Sequence, residues 1–81
     1  IWSRERYRAM LDGLRLKFGQ NEELKRHLLG TGDAVLYEAS PWDSIWGIGL
    51  NARAAQRMAP EDYPGENLLG KALMELRSEL A

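Results

Sequence analysis

Cysteine is missing from the 81 residues, and histidine occurs once, at His27. The first absence excludes disulfides, thiolate nucleophiles and zinc–cysteine centres; the second leaves too few imidazoles for a histidine-rich metal site. Neither a metal nor a cofactor is expected. An excess of one charge is lacking too. Eleven Lys and Arg stand against 12 Asp and Glu for a formal net charge of -1, so no chain-wide field draws in nucleic acid, although a local basic patch stays open. No apolar run approaches the roughly 20 residues that span a bilayer, and no cleavable signal pattern opens the chain. The sequence therefore reads as soluble and cytoplasmic, with no membrane partner. No internal repeat or low-complexity tract occurs.

What is present fits one small folded domain. A hydrophobic fraction of 44% with 28% charged residues argues against disorder, while 81 residues bury only a modest core. Tyr7, Met10, Leu11, Leu14 and Phe18 recur at helical spacing, which predicts an amphipathic helix from Ser3, as cap, to Phe18, stopped by Gly19 and weakened inside by Gly13. Arg4, Arg6, Arg8 and Arg15 scatter around it as a solvated face. Asn21 caps a second helix through Leu29, with Glu22 and Glu23 in its first turn, Lys25, Arg26 and His27 toward its end, and Gly30 as the C′ residue. His27 thus has a sufficient structural account. Ala34 to Ala39 reads as a short strand, Val35 and Tyr37 on one face and Leu36 on the other. A lone strand cannot satisfy its own backbone, so a pairing partner outside this sequence is expected. Ala52 to Met58 has room for two helical turns. Pro60 to Gly65 reads as a mobile, solvent-facing loop, and Asn67 caps a last helix with Leu68, Leu69, Ala72, Leu73, Leu76 and Leu80 on one face. The helices are expected to close on Leu14, Phe18, Leu28, Leu73 and Leu76. The fold class is α+β, mainly α-helical: three amphipathic helices and one short strand. The large apolar residues Ile1 and Trp2 at the start look like a cut through a larger domain.

Function is expected in the stretch Glu38-Ala-Ser-Pro-Trp-Asp-Ser-Ile-Trp-Gly-Ile-Gly-Leu50. A loop with two indoles, a carboxylate, a proline and two glycines is either a core plug or a ligand site. Asp43 and Trp46, three apart, share one side of a helical turn and can hold a flat base beside an anionic group. Gly47 and Gly49 let backbone approach a ligand or take positive φ. The plainer alternative is that Asp43 caps a single turn.

Three blocks stand in order: Lys17-Phe-Gly-Gln-Asn21; Leu28-Leu-Gly-Thr-Gly32 through Ser40-Pro-Trp-Asp-Ser-Ile-Trp-Gly-Ile-Gly49; and Asn67-Leu-Leu-Gly-Lys-Ala-Leu-Met74. With Trp2, Arg6 and Met10 they resemble the C-terminal half of a NADAR domain, the family that includes riboflavin-biosynthesis-intermediate N-glycosidases. The resemblance aligns Trp42, Asp43, Trp46 and Gly47 with the family's Trp-Asp-x-x-Trp-Gly loop, and Asn67 and Gly70 with its Asn-x-x-Gly helix start. It implies hydrolysis of a C–N glycosidic bond in phosphoribosylated pyrimidines or in ADP-ribosylated guanine. Family members are roughly twice as long, and their Glu-His-x-Phe-Gln type motif has no counterpart here. A complementary N-terminal half is therefore an expected partner, and the isolated chain is expected to be inactive.

Cleaving an N-glycoside passes through an oxocarbenium-like state that calls for a nearby negative charge, help for the leaving base and a placed water. Asp43 is assigned the charge or the water, and Trp46 a π face for base or cation; these two are the catalytic assignments. Lys17, Trp42, Gly47, Asn67 and Lys71 are assigned to substrate binding, the lysines and the N–H groups at the Asn67 helix start as phosphate contacts. Of the two indoles Trp46 is assigned to the ligand and Trp42 chiefly to packing. A Schiff-base role for Lys17 would need a depressed pKa, for which the local sequence offers no cause. The competing readings are a non-catalytic nucleotide or ADP-ribose module and a purely structural half-domain.

Overall fold

The computed structural model describes residues 4–81. Ser3, the expected cap of the first helix, lies outside the described residues, as do Ile1 and Trp2. The described elements are α1 (Arg4–Gly19), α2 (Glu22–Gly30), α3 (Ala52–Ala55), a 3₁₀ turn at Pro60–Asp62, and α4 (Leu68–Leu80). None of these helices is long and apolar enough to cross a membrane. The chain divides into two units, Ile1–Ala34 with Ala72–Ala81, and Val35–Lys71.

The first unit follows the helical periodicity. Leu11 on α1, Leu28 on α2, and Ala72 and Leu76 on α4 are buried, with Leu14, Phe18 and Leu73 half-buried around them. Each fully buried leucine contributes about 1.5–3 kcal/mol. Polar pairs tie α1 to α4: the Tyr7 hydroxyl donates to Glu75 Oε1 at 3.0 Å, and Arg15 donates to both Glu79 oxygens at 2.8 and 2.6 Å, while within α1 it also donates to Asp12 at 2.6 Å. The ion pairs of Arg15 face solvent, which screens them, so they orient the helices more than they stabilise them. Partial burial, then the bond to Glu75, pushes the Tyr7 hydroxyl up to about 12. Asn21 caps α2 as expected, accepting from the Leu24 N–H at 3.1 Å. Gly30, however, is the last helical residue; the left-handed position belongs to Gly32, at φ 60°. Arg77 then ties off the end of α2, donating to Thr31 Oγ1 and the Ala34 carbonyl, each at 2.8 Å.

The second unit departs from the expectations. Residues 34–39 form no strand, and none occurs among the described residues. The period-2 pattern reflects an extended segment whose partner is a side chain: Asn67 Nδ2 donates to the Leu36 carbonyl at 2.9 Å, and Asn67 Oδ1 accepts the Glu38 N–H at 3.0 Å. A carboxamide carries the same donor and acceptor as a peptide group, so it satisfies the extended chain as a neighbouring strand would. The α3 helix stops at Ala55 rather than Met58, capped by Asn51, whose Oδ1 accepts from Ala54 at 2.8 Å. The Pro60–Gly65 stretch is largely exposed, as expected, but it is tied down at two points. Tyr63 packs edge-on against Tyr37 with ring centres 5.6 Å apart, and the Gly65 N–H donates to the Ile48 carbonyl at 2.7 Å. Ile48 and Ala55 are the buried apolar residues of this unit.

Candidate functional site

The loop from Glu38 to Leu50 is fastened to the chain leading into α4 by five consecutive carbonyls. Ser44, Ile45, Trp46, Gly47 and Ile48 accept from Glu66, Leu68, Leu69, Asn67 and Gly65, at 2.7 to 3.0 Å. A helix start leaves its first N–H groups without intrahelical partners, and here the loop supplies them. The Leu68 and Leu69 N–H groups, read from sequence as phosphate contacts, are thus spent on Ile45 and Trp46.

Asp43 lies inside this arrangement, its Oδ1 accepting the Ile45 N–H at 3.0 Å and the Trp46 N–H at 2.9 Å. Residues 44–47 form bends rather than a helical turn, so Asp43 meets Trp46 through main chain, as in a cap. The N–H groups of Trp46 and Ile45, then that of Gly47, hold the Asp43 carboxyl below the usual carboxylate range. Asp43 is therefore ionised throughout the neutral range. That suits it better to face a developing cation than to donate a proton.

The glycines act by leaving room. A Cβ on Gly47 would lie 2.8 Å from the Asp43 carbonyl oxygen and 2.9 Å from that of Glu38, so its bareness serves the loop's own backbone and not a ligand. Gly49 does take the left-handed conformation, at φ 75°. Gly65 and Gly70 are tighter: a Cβ on the first would overlap the backbone of Gly47 and Ile48, and one on the second the Leu36 carbonyl and the Asn67 carboxamide.

The indoles are placed differently from the expectation. Trp42 is 88% exposed and packs no core, while Trp46 is half-buried. Trp42 projects from the loop beside Asp43, so a stacking face is offered by the residue assigned to packing. Asn67 is 7% exposed and turns its side chain onto Leu36 and Glu38 rather than onto the N–H groups of its own helix. It is neither a conventional cap nor a surface contact. Lys71 lies exposed on the first turn of α4 in the second unit, and Lys17 lies exposed on α1 in the first. Asp43, Trp46, Gly47 and Asn67 stand in two adjoining hydrogen-bonded pairs: Trp46 N–H to Asp43, and Asn67 N–H to the Gly47 carbonyl.

Sequence reasoning passed over Glu38. Its main chain is gripped on both sides, the N–H by Asn67 and the carbonyl by the N–H groups of Ile48 and Ser40, each at 3.0 Å, while its side chain is exposed. An exposed carboxylate on a fixed backbone, five residues before Asp43, gives the loop a second acidic group. The signal was its position at the head of the Trp-rich stretch. Its fixing comes from a residue 29 positions away, which no local pattern reveals. No cluster of His, Asp and Glu able to hold a metal occurs among the described residues.

The chain matches the NADAR domain family over residues 1–81 and belongs to it. It is 48% identical over 79 residues to N-glycosidase R617 of Acanthamoeba polyphaga mimivirus, covering 98% of this chain and 46% of that protein. It is 44% identical over 85 residues to Protein irg-1 of Caenorhabditis elegans, covering 99% and 38%, and 38% identical over 80 residues to N-glycosidase YbiA of Escherichia coli (strain K12), covering 99% and 43%. The chain thus spans less than half the length of each of these relatives. The names of the first and third support N-glycosidase chemistry for the family.

Proposed function

We propose that this chain carries the reactive loop of an N-glycosidase that hydrolyses the C–N glycosidic bond of phosphoribosylated riboflavin-pathway pyrimidines or of ADP-ribosylated guanine. The observation that supports it most is the Asp43 carboxylate, kept ionised by the N–H groups of its own loop. In the proposed reaction the C1′–N bond breaks with its electron pair passing to the base nitrogen, which takes up a proton. Water adds to C1′ and gives up a proton. Asp43 faces the cationic sugar, Glu38 handles the water or leaving-group proton, and the exposed Trp42 or half-buried Trp46 stacks on the base. Lys71, in the same unit as the loop, is the candidate phosphate contact.

The resemblance implies a further glutamate motif outside the matched stretch, so on this reading a complementary N-terminal half completes the site and the isolated 81 residues are inactive. The second reading is a non-catalytic nucleotide or ADP-ribose module, favoured by the 88% exposure of Trp42, which gives a stacking face without needing a carboxylate. The test is release of free base by the full-length protein, followed by chromatography, beside ADP-ribose titration monitored by tryptophan fluorescence. Base release that falls with Asp43→Asn supports the enzyme; saturable quenching without base release supports the module.

A further inference from the structure

Three asparagines precede helices in this chain, and they behave differently. Asn21 and Asn51 have extended backbones, with φ of -134° and -76°, and cap their own helices by accepting from Leu24 and Ala54. Asn67, before α4, has φ 54° and is the one non-glycine with positive φ among the described residues. Its side chain turns away from α4, whose first N–H groups go to Ile45 and Trp46 instead. Such a backbone persists only where the surroundings over-determine it. Here they do so by name. The Asn67 N–H is held by Gly47, both ends of its carboxamide are bonded, and Gly70 leaves the slot in which that carboxamide lies.

We infer that Asn67 is a positioning residue that acts through Glu38: its carboxamide bridges the Leu36 carbonyl and the Glu38 N–H in the slot left by Gly70, and so sets where the Glu38 carboxylate stands. This rests on the N-glycosidase reading for its catalytic consequence, but not for the bridge itself. The chemistry at the position is narrow. Aspartate keeps the acceptor for Glu38 and puts an oxygen against the Leu36 carbonyl; glutamine carries the right groups one methylene too far out; glycine keeps the backbone freedom and loses both bonds. The Asn-x-x-Gly pattern thereby has a physical reason, since one residue supplies the bridge and the other the space.

The experiment has two readouts on the full-length protein carrying Asn67→Gly and Asn67→Asp. The first is amide hydrogen exchange at Glu38. Its N–H is expected to be protected in the wild type and in Asn67→Asp, and to lose at least tenfold of that protection in Asn67→Gly, while the amides of Leu11 and Leu28 exchange at wild-type rates. The second is the division between kcat and KM: Asn67→Gly lowers kcat at least tenfold with KM within about twofold, and Asn67→Asp recovers part of the loss. Glu38 exchange unaffected by Asn67→Gly would overturn the bridge, and a raised KM at constant kcat would make Asn67 a substrate contact. If Asn67→Gly does not fold, Asn67→Asp decides alone: a folded Asn67→Asp with an unprotected Glu38 amide overturns the bridge. Wild-type protein that releases no base counts against the N-glycosidase reading and the catalytic consequence together, and leaves exchange to decide the bridge.

Discussion

Asn67 Oδ1 accepts the Glu38 N–H at 3.0 Å across 29 residues of sequence. This bond joins the head of the Trp-rich loop to the start of α4, and it turns two motifs that look separate in the sequence into parts of one structure. Between them, five loop carbonyls satisfy the entry to the helix. Substitutions in either motif are therefore expected to be felt in the other.

Asp43→Asn separates charge from geometry, because the asparagine oxygen can still accept from Ile45 and Trp46. Turnover is expected to fall at least about tenfold, or ~1.4 kcal/mol of transition-state stabilisation, with the fold retained. Steady-state base release beside circular dichroism checks it, and near-normal turnover in a folded variant leaves Asp43 as a cap alone.

The same variant carries a pH signature. The folded-state pKa of Asp43 lies below its ordinary value of 3.8, so the stabilisation from its charged hydrogen bonds is fully present above about that pH and is lost as pH falls through the folded value. Thermal melts of wild type and Asp43→Asn should differ most at neutral pH and converge as pH drops below about 4. A gap that stays constant to pH 2 would contradict it.

The indoles give a stability contrast opposite to the one their sequence suggests. Trp42→Ala should change unfolding free energy by no more than about 0.5 kcal/mol, as befits an exposed position. Trp46→Ala, at a half-buried site, should cost about 1–3 kcal/mol, less than the 3–5 of a fully buried aromatic. Urea denaturation of the two variants decides the order.

Two glycine-to-alanine changes should have opposite signs. Gly13 lies inside α1 with open space where a Cβ would stand, so Gly13→Ala is expected to stabilise by about 0.5–1 kcal/mol. Gly70→Ala drives a methyl into the Leu36 carbonyl and the Asn67 carboxamide and should destabilise by about 2 kcal/mol or more. A tolerated Gly70→Ala would mean that the Asn67 slot can widen.

The legible parts of the fold were those governed by neighbours in sequence. Helical spacing from Tyr7 to Phe18 and from Leu68 to Leu80, and the Asn21 cap, gave α1, α4 and α2 to within a residue or two. The Ala34–Ala39 segment misled because alternation reports an extended chain and not what it pairs with, and a side-chain amide had taken the strand's place. Trp42 misled because a large indole is by default a core residue, and nothing local marks one that stays exposed. Within the site, Asp43 and Trp46 were visible as a motif. Glu38 and the bridging role of Asn67 were not, since both depend on contacts that only the folded chain makes.

The most direct test of the account is the single-turnover rate of base release from an N-ribosylated substrate by full-length protein carrying Glu38→Gln, Asp43→Asn or Glu75→Gln, with each fold verified by melting. Glu75 pairs with Tyr7 between α1 and α4 and serves as the carboxylate outside the loop. Glu38→Gln and Asp43→Asn are each expected to lose at least about tenfold, as fits groups acting on the transition state, while Glu75→Gln keeps the wild-type rate. Wild-type rates from both loop variants in folded protein would contradict it.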